Sequence, residues 1–279
     1  MKTNLEAFSV YKPTSLNKII ILCDHASNYI PKTYKNLGLK LSDVNKHIGW
    51  DIGALKVAKK ISKNINCSLI HSCFSRLLID CNRSLKSQGA FVKKSEYIII
   101  PGNKNVSKKE KLLRAKKYYS PYHDQINKII KKKLNDKIVP ILVSIHSFTP
   151  IYFGKSRPWH IGLLQRNDQR LSSIFAKEIK KNKKIVLGIN QPYKLDLTGD
   201  FTIPFFSERN GLPHILIEIR QDLLLNNKSI NFWPLGITVF AILSHIYLSF
   251  GLSKIFFLLY SAFCKSTIKR AECSFSIFL

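Results

Sequence analysis

The β-branched run IIILC, at 19 to 23, leads directly into Asp24 and His25, with Asn28 three positions further on. Two later apolar runs carry polar groups in a comparable way: ILVSIHS brings in His146, and ILIEIR holds Glu218 and Arg220. Two histidines from separate strands, with a nearby oxygen donor, would bind a zinc or other divalent ion and leave a position open for water. Water in such a site becomes acidic enough to serve as a nucleophile near neutral pH. Glu218 would then accept the water proton and pass it to a leaving amine. Each residue also has a plainer reading. A histidine at a strand end is more often hydrogen-bonded structure than a metal ligand, and a glutamate in a buried strand can be neutralised by a neighbour such as Arg220.

A fourth stretch, SRLLIDCNRS, places Arg76 and Arg83 on either side of a short apolar run and groups Asp80, Asn82 and Arg83 within four positions. An arginine grips a carboxylate with a planar fork, so either one could hold an acidic substrate. The structural alternative is a surface pair between Asp80 and Arg83, which would contribute little stability.

The elements that must position these residues follow from periodicity. Runs at 18 to 23, 68 to 72, 76 to 80, 138 to 147, 160 to 165, 184 to 188 and 214 to 219 read as strands, separated by segments of helical period. Such alternation predicts a three-layer α/β/α fold with a mainly parallel mixed sheet, in which sites form at the carboxyl ends of strands. Ile52, Leu55, Ala58, Ile61 and Ile65 mark one helix, with Asp51 placed as a charge at its positive end. Ser107 and Glu110 have capping-box spacing for another, and Pro121 predicts a break or kink in it. Residues 86–105 read as a long surface loop of the kind that lines sites. His47 and His123 read as supporting residues.

No linker divides the chain, so residues 1–250 are expected to form one domain and 251–279 an apolar tail of undetermined structure. Residues 235–253 are apolar over about the length of a bilayer crossing, which fits either a membrane-associated segment or a buried closing helix. The buried helix is preferred. The net charge of +28 arises from 45 basic and 17 acidic residues, but runs such as KKNKK recur along the whole chain without a nucleic-acid-binding module. No specific nucleic acid is expected as partner. Six cysteines without a CxxC pair, and an amino-terminal stretch without an uninterrupted apolar core, fit a cytoplasmic protein.

Seven blocks in order, DHASNYIP, HIGWDIGA, SRLLIDCNR, IPGN, PYH, SIHSFTP and GLPHILIEIRQDL, resemble the N-formylglutamate amidohydrolase family, itself similar to the zinc carboxypeptidases and aspartoacylases. The resemblance spans about residues 18–233. It implies a zinc-carboxypeptidase-like fold, with zinc held by His25, by Asn28 at the position of the acidic ligand, and by His146. Glu218 then matches the catalytic glutamate, Asn82 and Arg83 the pair that binds the substrate carboxylate, and Arg76 the arginine that stabilises the oxyanion. Asn28 offers only a neutral amide oxygen, so Asp24 or Asp51 is the alternative third ligand. Phe206 stands where members of the family often carry a histidine, which bears on substrate preference.

The expected activity is therefore that of a metal-dependent amidohydrolase removing a formyl or other short N-acyl group from an amino acid, with N-formylglutamate as the type substrate. The alternatives are a carboxypeptidase-like hydrolase of peptides or cell-wall fragments, and a non-catalytic basic protein at a membrane surface.

Overall fold

A computed structural model describes residues 6–12, 14–196, 199–226 and 233. The strands are β1 (Phe8–Tyr11), β2 (Ile19–Cys23), β3 (Ser68–Ser72), β4 (Lys94–Ser95), β5 (Ile98–Ile99), β6 (Ile141–Phe148), β7 (Ile151–Tyr152), β8 (Lys155–Ser156), β9 (Ile161–Leu164), β10 (Leu187–Ile189) and β11 (His214–Arg220). The α-helices are α1 (Leu41–Val44), α2 (Ala54–Ile65), α3 (Pro101–Lys104), α4 (Lys108–Arg114), α5 (Ser120–Asn135), α6 (Arg170–Ile179) and α7 (Thr202–Phe206).

Seven strands form one mixed sheet in the order β1-β3-β2-β6-β11-β9-β10. The central pairs β3/β2, β2/β6 and β6/β11 are parallel, whereas β1 runs antiparallel to β3 and β9 antiparallel to β11. Because successive side chains of a strand point to opposite faces, β2 feeds two cores at once. Ile19, Ile21 and Cys23 pack with Val57, Ala58 and Ile61 of α2 and with Leu171 and Phe175 of α6. Ile20 and Leu22 pack with Tyr122, Ile126 and Ile130 of α5 and with Ile203 and Phe206 of α7. Each fully buried Ile or Leu stabilises such a layer by about 2 kcal/mol. The outcome is the three-layer α/β/α architecture with a mainly parallel mixed sheet expected from the sequence.

Three local expectations differ from the structure. Residues 76–80 form turns, not a strand; Leu77 and Leu78 are buried in a separate cluster with Phe74 and Ile100, and Ser75 is tied to Gly49 O. Pro121 does not break its helix. A π-helical turn at Ala115–Tyr119 joins α4 to α5, and Pro121 falls in the first turn of α5, where a missing N–H is tolerated. Residues 86–105 fold into a 3-10 turn, the β4–β5 hairpin and α3. The apolar segment 235–253 and the tail 251–279 lie outside the described residues, and no helix among the described residues is long and apolar enough to cross a membrane.

Candidate active site

The first parallel crossover, through α2, places β3 on one side of β2, while β6 pairs on the other. The crevice beyond the carboxyl ends of β2 and β6 is thus a switch point, the favoured ligand position in open α/β sheets. Asp24 and His25 follow β2, and His146 lies near the end of β6. The loop before α2 brings Asp51 to them, held by a bond from Asp51 N to His25 O of 2.9 Å.

His25, Asp51 and His146 are all buried, and one donor atom from each lies within 4.8 Å of the others. Asp51 Oδ2 is 2.8 Å from His146 Nδ1 and 3.4 Å from His25 Nδ1. The far nitrogens meet other polar groups: His25 Nε2 lies 2.7 Å from Asp80 Oδ1, and His146 Nε2 lies 3.0 Å from Ser144 Oγ and 3.2 Å from Asp24 Oδ2. Asp24 is fixed in turn by Tyr122 Oη and Thr202 Oγ1, each donating to Oδ1 at 2.8 Å. Arg76 donates to Asp80 Oδ2 through Nη2 at 2.9 Å and through Nε at 3.2 Å, and its Nη1 is 3.5 Å from Asp51.

In the neutral imidazoles, an Nε2–H on each would turn both Nδ1 lone pairs toward Asp51, an arrangement that a bound cation completes; without a cation, a proton on His146 Nδ1 bridges to Asp51 at 2.8 Å. His25 Nδ1 accordingly has no hydrogen-bond partner. The donor set, two imidazoles and one carboxylate, fits zinc or a similar divalent ion.

Asn28 is not brought to this cluster. Its amide donates to Asn45 Oδ1 at 2.8 Å, because the chain turns away from the sheet after His25. The acid that meets both histidines is Asp51.

Glu218 lies on β11 in register with His146 and is buried, and its Oε2 has no hydrogen-bond partner. Arg220 does not neutralise it, pairing with Asp222 at 2.9 Å. Burial pushes the Glu218 carboxyl up to about 8, against the pull of His146. Burial also acts to raise Asp24, Asp51 and Asp80, but the neighbouring histidines, joined by Arg76 at Asp80, prevail and hold all three below the usual carboxylate range. Gly162 on β9 makes room beside Glu218: a Cβ there would stand 1.9 Å from Gln191 O and 3.4 Å from Glu218 Cβ.

A cleft of about 540 Å³ opens from the cluster, lined by His25, Asp51, Arg76, Asn82, Arg83 and Asp200 among others. Asn82 Nδ2 donates to Asp200 Oδ1 at 2.9 Å, and Arg83 Nη1 lies 3.4 Å from the same oxygen. Burial raises the Asp200 carboxyl above its ordinary value, partly offset by Arg83. Glu96 ties the β4–β5 hairpin to the rim, its carboxylate 2.9 Å from His47 Nε2 and accepting from Phe153 N at 2.9 Å. His123 is packed against Tyr119 and Phe206, away from the cleft.

The sequence brought His25, His146, Glu218, Arg76, Asn82 and Arg83 to notice; His25, Arg76, Asn82 and Arg83 line the cleft, while His146 is buried against Asp51 and Glu218 is its register partner on β11. Asp200 and Gly162 were missed, since a lone acid in a loop and a glycine in a strand carry no distinguishing signal. Asp80 was noticed only as a surface partner for Arg83; its contact with His25 spans 55 positions.

Residues 17–225 match the family model for N-formylglutamate amidohydrolase. The fold is similar to the crystal structure of a gene product from Agrobacterium tumefaciens, with 32% identity, a TM-score of 0.84, and coverage of 88% of this chain and 96% of the other. It is also similar to N-formylglutamate amidohydrolase from Ralstonia eutropha, with a TM-score of 0.70 at 17% identity, covering 89% of this chain and 100% of that one. No curated protein matches the sequence.

Proposed function

The chain belongs to the N-formylglutamate amidohydrolase family, hydrolases of an amide bond, and from that premise we propose that it is a metal-dependent enzyme releasing a formyl or other short acyl group from an N-acyl amino acid, the class that includes N-formylglutamate. The observation that carries this reading is the convergence of His25 Nδ1, His146 Nδ1 and Asp51 Oδ2 on one point, with His25 Nδ1 otherwise unbonded. These three residues would hold a zinc or other divalent ion.

When bound, the ion supplies Lewis acidity, polarising the scissile carbonyl and acidifying water. The remaining work belongs to the chain. Asp80 and Asp24 keep the two imidazoles in the tautomer whose Nδ1 lone pairs face Asp51. Glu218, with Oε2 unbonded, accepts a proton from the attacking water and delivers it to the amide nitrogen as the C–N bond breaks, giving a carboxylic acid and a free amine. Arg76, anchored by two carboxylates at the wall of the cleft, places positive charge where the carbonyl oxygen becomes negative. Asn82 and Arg83 line the part of the cleft that would receive the amino-acid half.

The Glu96 contacts that join the β4–β5 and β7–β8 hairpins at the rim favour a small substrate over a peptide. The test is metal analysis combined with a panel of N-formyl, N-acetyl and N-succinyl amino acids. Stoichiometric metal and turnover of at least one member are expected, and a metal-free protein inert to the whole panel would refute the proposal.

A further inference from the structure

Asn82 and Arg83 are the groups a substrate carboxylate would seek, yet a carboxylate of the chain already lies on them. Asn82 Nδ2 donates to Asp200 Oδ1 at 2.9 Å and Arg83 Nη1 stands 3.4 Å from it. The pair is mostly shielded from solvent, the side chains being 26% and 14% exposed for Arg83 and Asp200.

Asp200 is also anchored from both sides. Its own N–H donates to Asp196 O at 3.0 Å. The next two backbone N–H groups, of Phe201 and Thr202, donate to Asn82 Oδ1 at 3.1 and 3.0 Å. Thr202 Oγ1 donates to Asp24, the carboxylate that meets His146. The backbone that carries Asp200 is thereby tied through Asn82 and Thr202 to the candidate metal cluster.

The basic side chains lining the cleft are engaged or exposed, and Asp196 adds a second acid beside Asp200. Arg76 is committed to Asp80 and Asp51. Lys194 lines the cleft but is exposed, so water screens it. Arg83 uses Nη1 for Asp200 and for Asn82 O, which leaves its other N–H groups for one carboxylate. A second carboxylate on the same substrate would meet Asp200, and like charges brought together in a desolvated site are strongly disfavoured.

We propose that Asp200 is a specificity-determining residue: a carboxylate built into the amino-acid half of the cleft that selects N-acyl amino acids with uncharged or cationic side chains over dicarboxylic ones. This inference rests on the amidohydrolase reading for its substrate class, and on the Asn82–Arg83–Asp200 contacts for its direction.

The test compares N-formyl-L-glutamine with N-formyl-L-glutamate, which differ at the side-chain terminus alone. Binding of the products L-glutamine and L-glutamate to the metal-loaded protein is measured alongside by calorimetry. In the natural protein the glutamine compounds should be preferred by about tenfold or more, in kcat/KM and in affinity. Asp200→Asn keeps an oxygen for Asn82 and Arg83 but removes the charge, and should bring both ratios to within about threefold. Asp200→Glu keeps the charge and should keep the preference. Equal or reversed preference in the natural protein, or a ratio unchanged in folded Asp200→Asn, would overturn the inference. If neither N-formyl compound is hydrolysed while product affinity still follows the charge at position 200, the reaction reading fails and the role of Asp200 stands. Turnover without any dependence on position 200 defeats the inference alone.

Discussion

Glu218 and His146 are register partners across the parallel β6/β11 pair, so their side chains leave the sheet on the same face. The proposed proton acceptor and the candidate metal-binding imidazole are thereby positioned by backbone hydrogen bonding, not by a flexible loop. Replacing Glu218 with Gln should lower kcat by about a hundred- to ten-thousandfold and leave the metal content unchanged. Steady-state kinetics with metal analysis on one preparation checks both. Full activity in the variant would remove Glu218 from the mechanism.

The third ligand can be assigned by two substitutions. Asp51→Asn should weaken metal binding, because the charge facing both Nδ1 atoms is lost. Asn28→Ala should leave metal stoichiometry intact, since the Asn28 amide is bonded to Asn45. Competition with a chelator reports both.

The carboxylates behind the histidines predict a smaller effect of the same kind. Asp80→Asn and Asp24→Asn each remove a charged partner from an Nε2 and should reduce metal affinity by about 10- to 100-fold. An unchanged affinity in both would mean that the imidazoles are oriented by packing alone.

In metal-stripped protein, Glu218 also gives a pH signature. Its carboxyl is raised from 4.5 to about 8 on folding, so the native state binds the proton more tightly than the unfolded state. The stability that follows is fully present below 4.5 and is lost as pH rises through about 8. Asp24, Asp51 and Asp80 act in the opposite sense: their carboxyls are lowered from 3.8 on folding, so their contribution is present above that value and lost as pH falls below it. The urea midpoint of metal-stripped protein minus that of Glu218→Gln should fall as pH rises from 5 to about 8.5, because the difference isolates the Glu218 contribution.

Gly162→Ala tests the close approach of the Gln191 backbone to β9. The added Cβ would lie 1.9 Å from Gln191 O, so backbone must move, at a cost of about 1–3 kcal/mol. Equilibrium denaturation measures it, and a neutral result would show that the 191–193 segment yields freely.

Much of the fold was legible because each strand–helix alternation has its own period. β2 and β6 read as continuous apolar runs since they are buried on both faces. The run at 76 to 80 has an apolar centre of the same kind, Leu77 to Ile79, yet folds as turns, because Leu77 and Leu78 find a core outside the sheet. Local composition cannot distinguish those two destinations. In the site, His25, His146 and Glu218 could be noticed because polar groups inside or directly after apolar strands demand an explanation. Asp51 was harder: before a helix an aspartate already has a sufficient local role, and its contact with His146 spans 95 positions. Asp200 reaches Asn82 across 118 positions, a relationship only the folded chain contains.

The central claim is that His25, Asp51 and His146 hold a metal ion on which amide hydrolysis depends. The most direct measurement is titration of metal-stripped protein with Zn²⁺ while release of formate from N-formyl amino acids is followed. The account predicts no turnover without metal and a rate that rises to a plateau at one equivalent. Full turnover by the stripped protein, or none once a full equivalent is bound, would contradict it.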